Sequence, residues 1–568
     1  MLAWTPHERQ KLLGEDSRKR FEAARQKPAL FDQPEQLRGA LLDFIADFAN
    51  WDNSTVKEYL ETSRALTQAA HEALGGAPGT RPLVVDPFAG GGSIPLEALR
   101  VGADAYASDL NPVAVLLNKV VLEYIPKYGR GLADEVRKWG EWIKREAEKE
   151  LAEFYPKDPD GATPIAYLWA RTIKCEGPGC GAEVPLIRSL WLAKKANRSV
   201  ALQLVPNPKA KRVDFQIIVK RRDGWVNQEE SQNAKAKTLD PKFDGTVKRG
   251  SATCPCCGYT TPVARVREQF KPRRGGANDA RLLCVVTIRK GEQGRFYRVS
   301  NSKDETAARS AATELERNAK AHKGTLSLVP DEKIDVRGIR HTWAMIYGIE
   351  SWSDCFTLRQ ALALVKLSGL AAAHGRAMSK EGPEGLSKAV QTCMALIIDK
   401  LAQYNSSMCR WKASGENLVD TFGRQALPMV WDFAEANPFA GASGDFSGLL
   451  DWHADALVTT SSAVQGQVGS VGSASATAHP YPDDSANAFI TDPPYYDSVP
   501  YAYLADFFYV WLRRALSRIH TEMADHPLVP KDAEIVVDRP HELSDSTHDI
   551  AFYERELTKA FVEGRRVL

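Results

Sequence analysis

Residues 82–111 (PLVVDPFAGGGSIPLEALRVGADAYASDLN) constrain the fold more than any other segment of the chain. The apolar run Leu83–Val85 is typical of a buried strand, and it leads through Asp86 into a loop with three consecutive glycines. Glycines tolerate positive φ and let a ligand approach the backbone closely. A helix with Pro95 in its first turn and a second strand, Ala103–Ala107, are predicted next. This order of elements predicts a parallel sheet in an α/β fold.

The end of the second strand indicates what the glycine loop could hold. Asp109 lies 19 residues after Gly90, where a carboxylate at the end of a second strand can meet the hydroxyls of a ribose. The loop lacks the Lys-Ser/Thr pair of a phosphate-binding loop, so ATP or GTP hydrolysis is disfavoured. These residues predict a nucleotide-like cofactor without identifying it, and a structural tight turn is the alternative.

Residues 489–496 (FITDPPYY) are the most specific feature of the chain. A short apolar strand, predicted over Ala488–Thr491, leads into Asp492, two prolines and Tyr495. The prolines stiffen the loop and fix the following aromatic residue. Asp492 and a neighbouring carbonyl could accept both hydrogens of an exocyclic amine, and Tyr495 could stack on the ring that carries it. The segment predicts a site for a planar base removed from its duplex, with an ordinary proline turn as the alternative.

Together, DPFAGGG and DPPY resemble the S-adenosylmethionine-dependent amino-methyltransferases of nucleic acids, in which DPPY usually marks methylation of adenine N6 in DNA. The resemblance implies a doubly wound, Rossmann-like α/β core that flips the target base into the DPPY pocket. The residues that it implies for the cofactor are Asp86, Phe88, Ala89, Gly90, Gly92 and Asp109. Those that it implies for the base, as the catalytic set, are Asp492, Pro493, Pro494 and Tyr495. Methylation of cytosine N4 or RNA guanine N2 is the alternative chemistry, and a catalytically inactive DNA-binding subunit of a defence system is the alternative from another class.

Most of residues 83–568 also resemble large zinc-ribbon-containing DNA methylases found near phage-defence genes, which implies a role in restriction-modification or phage defence. Two segments, 351–367 and 420–439, share a Phe, Arg-Gln-Ala-Leu pattern in which the spacing differs by one residue. We interpret both segments as amphipathic core helices. The alternative is that they line a DNA or base pocket through Arg359, Arg424 and Asn437.

The cysteines form a second constellation. Cys175 and Cys180 make one pair, and Cys254 and Cys257 make another across β-rich sequence. Paired knuckles of this kind suit a tetrahedral zinc site, and four thiolates leave no open position, so the zinc would be structural. Cys256 competes for the last position, and cysteines that bind no metal are the alternative. The remaining cysteines lie in apolar or helical settings and are predicted core residues: Cys284, Cys355, Cys393 and Cys409.

Positive charge is concentrated between Arg171 and Ser300, where there are 27 Lys and Arg residues against 11 Asp and Glu residues. The whole chain has 74 basic and 72 acidic residues, so the rest of it is acidic. A basic block in an acidic chain is the electrostatic footprint of a polyanion partner. Because the predicted zinc ribbon lies in this block, we expect it to contact DNA, partly through phosphates. A solvated Lys-rich insertion is the alternative.

Composition and periodicity divide the 568 residues into six segments. They are an N-terminal helical region (1–82), the cofactor-binding half of the core (83–155), a basic zinc-ribbon insertion (171–300), a helical region (304–450), a flexible linker (458–480) and the DPPY half of the core (481–568). After Tyr495 we find one short apolar run, Ile535–Val537, where the resemblance implies several strands. The core is therefore predicted to be C-terminally incomplete, and a complementing protein chain that supplies the missing strands is one explanation.

Three absences in the sequence bear on location. No run of about 18 or more apolar residues occurs, so a membrane span is not expected. Residues Met1–Arg20 lack the apolar centre of a signal peptide. The nine cysteines are too few and too clustered for a disulfide scaffold. We predict a soluble, reduced, cytoplasmic protein that makes no membrane contact.

Overall fold

The computed structural model describes residues 14, 15, 18, 19, 22, 26, 32–222, 224–381, 384–464, 466–496, 499–538 and 548–568. A minor part of the predicted N-terminal helical region, including most of Met1–Arg20, lies outside the described residues. The described chain mixes helices with several sheets. In those parts of the chain, no helix is both long enough and apolar enough to cross a bilayer.

The helices surround the sheets and also form a layer of their own. They are α1 (Pro34–Ala49), α2 (Lys57–Ala73), α3 (Ser93–Arg100), α4 (Pro112–Asn118), α5 (Ile125–Tyr128), α6 (Arg130–Leu151), α7 (Val263–Phe270), α8 (Ser302–Ala321), α9 (Leu358–Glu381), α10 (Glu384–Tyr404), α11 (Phe446–Val464), α12 (Tyr501–Leu516) and α13 (Ile550–Val567). A six-residue π-helix, Lys119–Tyr124, joins α4 to α5.

The strands are short, apart from a few in the middle of the chain. They are β1 (Leu83–Asp86), β2 (Asp104–Asp109), β3 (Thr163–Ala170), β4 (Thr172–Lys174), β5 (Glu183–Pro185), β6 (Trp191–Lys195), β7 (Arg198–Asn207), β8 (Arg212–Arg221), β9 (Gly224–Asn227), β10 (Val247–Lys248), β11 (Ser251–Thr253), β12 (Thr260–Thr261), β13 (Arg281–Ile288), β14 (Phe296–Val299), β15 (Arg410–Lys412), β16 (Asn417–Val419), β17 (Asp432–Ala436), β18 (Ser470–Ser473) and β19 (Ala488–Phe489).

One four-stranded sheet is parallel throughout, in the spatial order β18-β2-β1-β19. On one face, Val84 and Ala105 pack against Leu99 of α3. On the other face, Val85 packs with Val567 of α13. A parallel sheet needs such cover on both faces because both faces are apolar. The sheet confirms the α/β expectation at this level, and the doubly wound methyltransferase core remains a prediction.

Two antiparallel four-stranded sheets lie in the region inserted between β2 and β18, in the orders β14-β13-β3-β17 and β6-β7-β8-β9. They pack against each other through Leu168, Val200 and Cys284. The first sheet also meets the helical layer, where Tyr167 and Leu362 belong to the largest apolar cluster. This cluster joins α6, α9, α10, α11 and α12 around one core.

Residues 458–480 differ from the predicted flexible linker. Helix α11 continues to Val464, and β18 pairs in parallel with β2 from Ser470 to Ser473. The small polar residues that suggested a linker are held here by main-chain hydrogen bonds to a sheet edge, which composition does not reveal. The predicted helical region 304–450 likewise contains three strands, β15, β16 and β17.

The DPPY half has one predicted strand that is shorter than expected and one apolar run that forms no strand. The strand predicted over Ala488–Thr491 ends at Phe489. The apolar run Ile535–Val537 joins no sheet of the described chain. Instead, the Val537 N–H donates to the Tyr496 carbonyl at 3.0 Å, which ties this segment to the loop after β19.

Candidate functional site

The glycine loop turns sharply between β1 and α3. Gly90 and Gly92 have φ of 49° and 82°, a left-handed conformation that favours glycine. A Cβ on Gly92 would lie 2.6 Å from the Asn118 Oδ1 atom, so glycine is also needed there for space. Asp86 ends β1, and its Oδ1 accepts from the Phe88 N–H at 3.1 Å. The shape of the loop therefore depends on its own glycines and on Asn118, the last residue of α4 before the π-helix.

Asp109, at the end of β2, is tied directly to this loop. Its Oδ2 accepts from the Gly90 N–H at 2.9 Å, and its Oδ1 accepts from the Asn111 N–H at 2.8 Å. Burial raises the pKa of the Asp109 carboxyl, and these backbone hydrogen bonds oppose the shift. Asn118 also stabilises the loop, because its Nδ2 donates to the Gly90 carbonyl at 2.9 Å. Each carboxylate oxygen can accept a second hydrogen bond, so Asp109 still offers acceptors to a ligand.

The DPPY loop begins where β19 ends, next to β1. Residues Val84 and Val85 pair in parallel with Ala488 and Phe489. The Thr491 hydroxyl donates to the Asp86 Oδ1 at 2.7 Å, which joins the two loops. Because the carboxyl ends of parallel strands share one edge of a sheet, both predicted motifs lie at the same edge.

The far side of the DPPY loop is held by α13. The Tyr553 hydroxyl donates to the Pro494 carbonyl at 2.8 Å, and its ring meets the Tyr496 ring edge-on. Tyr495 is 66% exposed. An exposed aromatic face on a braced loop is available for a planar ligand.

A cavity of about 770 Å³ opens between the two loops. Its volume lies in the range of sites for cofactors and drug-sized ligands, about 300–1,000 Å³. Nine of the ten predicted site residues line it: Asp86, Phe88, Ala89, Gly90, Asp109, Asp492, Pro493, Pro494 and Tyr495. The tenth, Gly92, is not part of the lining and acts on the shape of the loop. The structure thus brings the predicted cofactor and base residues into one cavity.

The lining of this cavity is acidic. It contains the carboxyls of Asp86, Asp109, Asp492 and Glu534 and, among the described residues, no Lys, Arg or His. Burial raises the pKa of Asp86 to about 6, with further upward contributions from the charges of Asp109 and Asp492. Burial also raises the pKa of Glu534 to about 7, and the nearby Lys531 opposes that shift. Such a cavity favours a cationic ligand and disfavours phosphates.

Sequence analysis missed several residues of the lining. Glu534 lies on the segment after α12, and its Oε1 accepts from the Ala502 N–H at 3.0 Å. Phe422 and Gln425 come from the inserted region. The Phe, Arg-Gln pattern was a signal for these last two residues, whereas no local pattern marks Glu534.

The Arg359 and Asn437 side chains do not line a DNA or base pocket, contrary to the alternative considered for them. Arg359 is fully buried, and its Nε donates to the Glu435 Oε1 at 2.7 Å. The Asn437 Nδ2 donates to the buried Pro164 carbonyl at 2.8 Å. Both side chains satisfy polar groups in the core. Arg424 is exposed but is not part of the cavity lining.

Four of the cysteines form a cluster. The Sγ atoms of Cys175, Cys180, Cys254 and Cys257 all lie within 4.8 Å of one another, as a tetrahedral metal site requires. Each pair sits in the turn of a small hairpin: the Cys175 N–H donates to the Ala182 carbonyl, and the Cys254 N–H donates to the Tyr259 carbonyl, both at 2.8 Å. The residues fit a structural zinc ion, as predicted.

Cys256 is outside this cluster. Its Sγ lies 3.5 Å from the Arg212 carbonyl at the start of β8. The other four cysteines, Cys284, Cys355, Cys393 and Cys409, are buried, as predicted for core residues. The choice of Cys257 over Cys256 as the fourth ligand therefore agrees with the geometry.

No family model matches the chain, and no match was found among curated proteins or solved structures. The geometry and charge of the site are therefore the observations that bear on function.

We expect the purified chain to contain about one zinc ion, bound by the four clustered thiolates. Replacing Cys257 with Ser removes one ligand, so zinc content should fall to well below half and the thermal midpoint should fall with it. Elemental analysis of the dialysed protein measures the content.

Cys256→Ser is the matched control, because the two cysteines are neighbours and only one belongs to the cluster. Equal zinc loss in both variants, or a metal-free wild-type chain prepared with zinc, would contradict the assignment.

Proposed function

We propose that this chain transfers a methyl group from S-adenosylmethionine to the exocyclic N6 amine of adenine in DNA. The observation that carries the proposal is the single acidic cavity in which the glycine loop and the DPPY loop meet. Its position, outside the carboxyl ends of parallel strands on either side of the central β1, is where open α/β sheets bind their ligands.

The cavity suits the charge of this cofactor. S-adenosylmethionine has a sulfonium and an ammonium against one carboxylate, so it is a net cation. The four carboxyls of the lining favour a cation, whereas a nucleotide triphosphate would be repelled. Asp109 supplies acceptors for ribose hydroxyls, and the glycine loop leaves its backbone accessible.

The DPPY loop suits the acceptor amine. An exocyclic amine is a poor nucleophile because its lone pair is delocalised into the ring. Asp492 and a proline carbonyl can accept its two hydrogens, which favours a pyramidal nitrogen and aims the lone pair into the cavity. Tyr495 can stack on the ring of a base taken out of its duplex. Such positioning, with fixed acceptors, accounts for most of the expected acceleration.

The bonds and charges of the transfer balance without a covalent enzyme intermediate. When bound, the sulfonium supplies the methyl group, a C–S bond breaks, an N–C bond forms and a neutral thioether is left. The amine loses one proton, which Asp492 can take up and pass to water. The carboxylates of the lining stabilise the positive charge throughout.

The basic insertion is the proposed DNA-binding surface. At the turn between β7 and β8, Lys209, Lys211 and Arg212 are exposed, beside the cysteine cluster. Lys174, on the first cysteine hairpin, is exposed as well. Lysine and arginine side chains on a rigid hairpin suit contacts to phosphates, which make affinity fall with salt.

We expect the preference of the cavity for a cation to increase with pH. In the free chain, Asp86 and Glu534 lose their protons as pH rises through about 6 and about 7, respectively. The affinity ratio of S-adenosylmethionine to S-adenosylhomocysteine, which lacks the sulfonium charge, should therefore rise by about tenfold between about pH 5 and 8. Isothermal titration calorimetry with both ligands measures the ratio. A ratio that stays constant with pH would argue against carboxylate recognition of the sulfonium.

We expect Asp492→Ala to lower methyl transfer by about 100-fold or more, because it removes an acceptor of the reacting amine. Binding of S-adenosylmethionine should weaken by less than about fivefold, since three of the four lining carboxyls and the glycine-loop contacts remain. The assay follows labelled methyl groups from the cofactor into unmethylated DNA and identifies the modified nucleoside.

Asp451→Ala, an exposed aspartate on α11, is the matched control and should retain activity. Label in N4-methylcytosine or in RNA guanine would replace the proposed target with the alternative one. Salt-sensitive DNA binding by a wild-type chain that transfers no label would support the non-catalytic DNA-binding subunit instead.

A further inference from the structure

Part of the cavity wall is built by residues outside the parallel sheet. Gln403 lies at the end of α10, and Phe422 and Gln425 lie between β16 and β17. All three belong to the region inserted between β2 and β18. The inserted region therefore contributes directly to the wall of the proposed substrate site.

Hydrogen bonds join the two segments that form this part of the wall. The Thr421 N–H and hydroxyl both donate to the Gln403 carbonyl, at 3.0 Å and 2.7 Å. The Gln403 side chain is already engaged, because its Nε2 donates to Asp420 and its Oε1 accepts from Lys400. Gln403 thus anchors the segment and has little capacity left for a ligand.

Phe422 gives the wall an aromatic face. Its ring packs edge-on against Phe507, with centroids 5.2 Å apart, and at a tilt against Phe508, with centroids 5.4 Å apart. Phe422 and Phe508 both line the cavity. Aromatic side chains in this arrangement favour a planar ring.

Unlike the Gln403 side chain, the Gln425 side chain is available to bind a ligand. It is exposed at the cavity, and within the described chain no hydrogen bond engages its side chain. Its backbone is held on its C-terminal side by His341: the His341 Nδ1 donates to the Gln425 carbonyl at 3.4 Å, and the Leu427 N–H donates to the His341 carbonyl at 2.6 Å. A free carboxamide on a fixed backbone is suited to read the edge of a base.

We propose that Gln425 orients the target base by donating a hydrogen bond from its side-chain Nε2 to the ring nitrogen beside the exocyclic amine. In adenine that nitrogen is N1 or N7, and both are acceptors. Cytosine also has an acceptor, N3, beside its amine, and the guanine amine lies between the N1–H donor and the N3 acceptor, so this contact alone does not choose among the three bases. This inference rests on the proposed function and names a residue that positions the base for transfer.

A double-mutant cycle between protein and substrate tests the contact. The adenine that the wild-type chain methylates is first mapped and then replaced in synthetic duplexes by its 1-deaza or 7-deaza analogue. We expect the wild-type chain to lose about tenfold or more in kcat/KM on one of the two analogues. Gln425→Ala should show that loss already on adenine and little further loss on the same analogue. The duplex affinity, measured with S-adenosylhomocysteine present, should follow the same pattern.

Gln68→Ala, a partly exposed glutamine on α2 that is remote from the cavity lining, is the matched control and should behave as wild type. The contact would be overturned if the fold-loss in kcat/KM from Gln425→Ala and the fold-loss from each deaza substitution multiply when the two changes are combined. Retention of full activity by Gln425→Ala on adenine would overturn it too. A wild-type chain that binds S-adenosylmethionine but methylates no DNA would refute the proposed function itself, which is a distinct result.

Discussion

The hydrogen bond from Thr491 to Asp86 spans 405 residues of sequence, and the candidate site depends on the pairing that makes it possible. Strands β1 and β19 pair in parallel over only two registered residue pairs. That short ladder brings the carboxyl ends of both strands to one edge, where each is followed by a loop with candidate site residues. Burying Asp86 among other carboxyls opposes ionisation, as its raised pKa shows. The Thr491 hydroxyl offsets part of that cost, so the same contact joins the loops and keeps an acidic group in the cavity.

The long insertion between the two loops is part of the site. Its helices and its β14-β13-β3-β17 sheet share one large apolar cluster with α12, the helix that follows the DPPY loop. The buried pair of Arg359 and Glu435 lies within it, with the Arg359 guanidinium 4.0 Å from the Tyr167 ring centroid. Because this packing fixes the position of Phe422 relative to Phe507, the insertion also fixes the part of the cavity wall that Phe422 forms. The cysteine cluster and its exposed basic hairpin lie on the same inserted region, which gives the proposed DNA-binding surface a rigid support.

Short sequence patterns predict those parts of the candidate site whose residues lie close together in the sequence. The glycine loop and Asp109 follow from strand and helix signals within 30 residues, and the four cysteine ligands follow from their pairing. The DPPY loop could be recognised, but its place beside β1 depends on strand pairing that no short pattern encodes. Glu534 was missed because no local pattern marks it. It joins the cavity lining only through tertiary packing, in which its Oε1 accepts from the Ala502 N–H of α12. The prediction of a flexible linker over 458–480 was wrong in part, because β18 within it is a strand held by hydrogen bonds to β2. Arg359 was open to a ligand-binding role until its burial against Glu435 was known.

We propose that one cavity holds a cationic methyl donor against the DPPY loop. A crystal structure of the chain with sinefungin, in which a carbon bearing an amine replaces the methylated sulfonium, is the decisive measurement. The ribose hydroxyls should lie within hydrogen-bond distance of Asp109. The added amine should point toward Asp492, in the space beside Tyr495 where a base would stack. Sinefungin bound elsewhere on the chain, or its amine directed away from the DPPY loop, would show that this cavity does not serve methyl transfer.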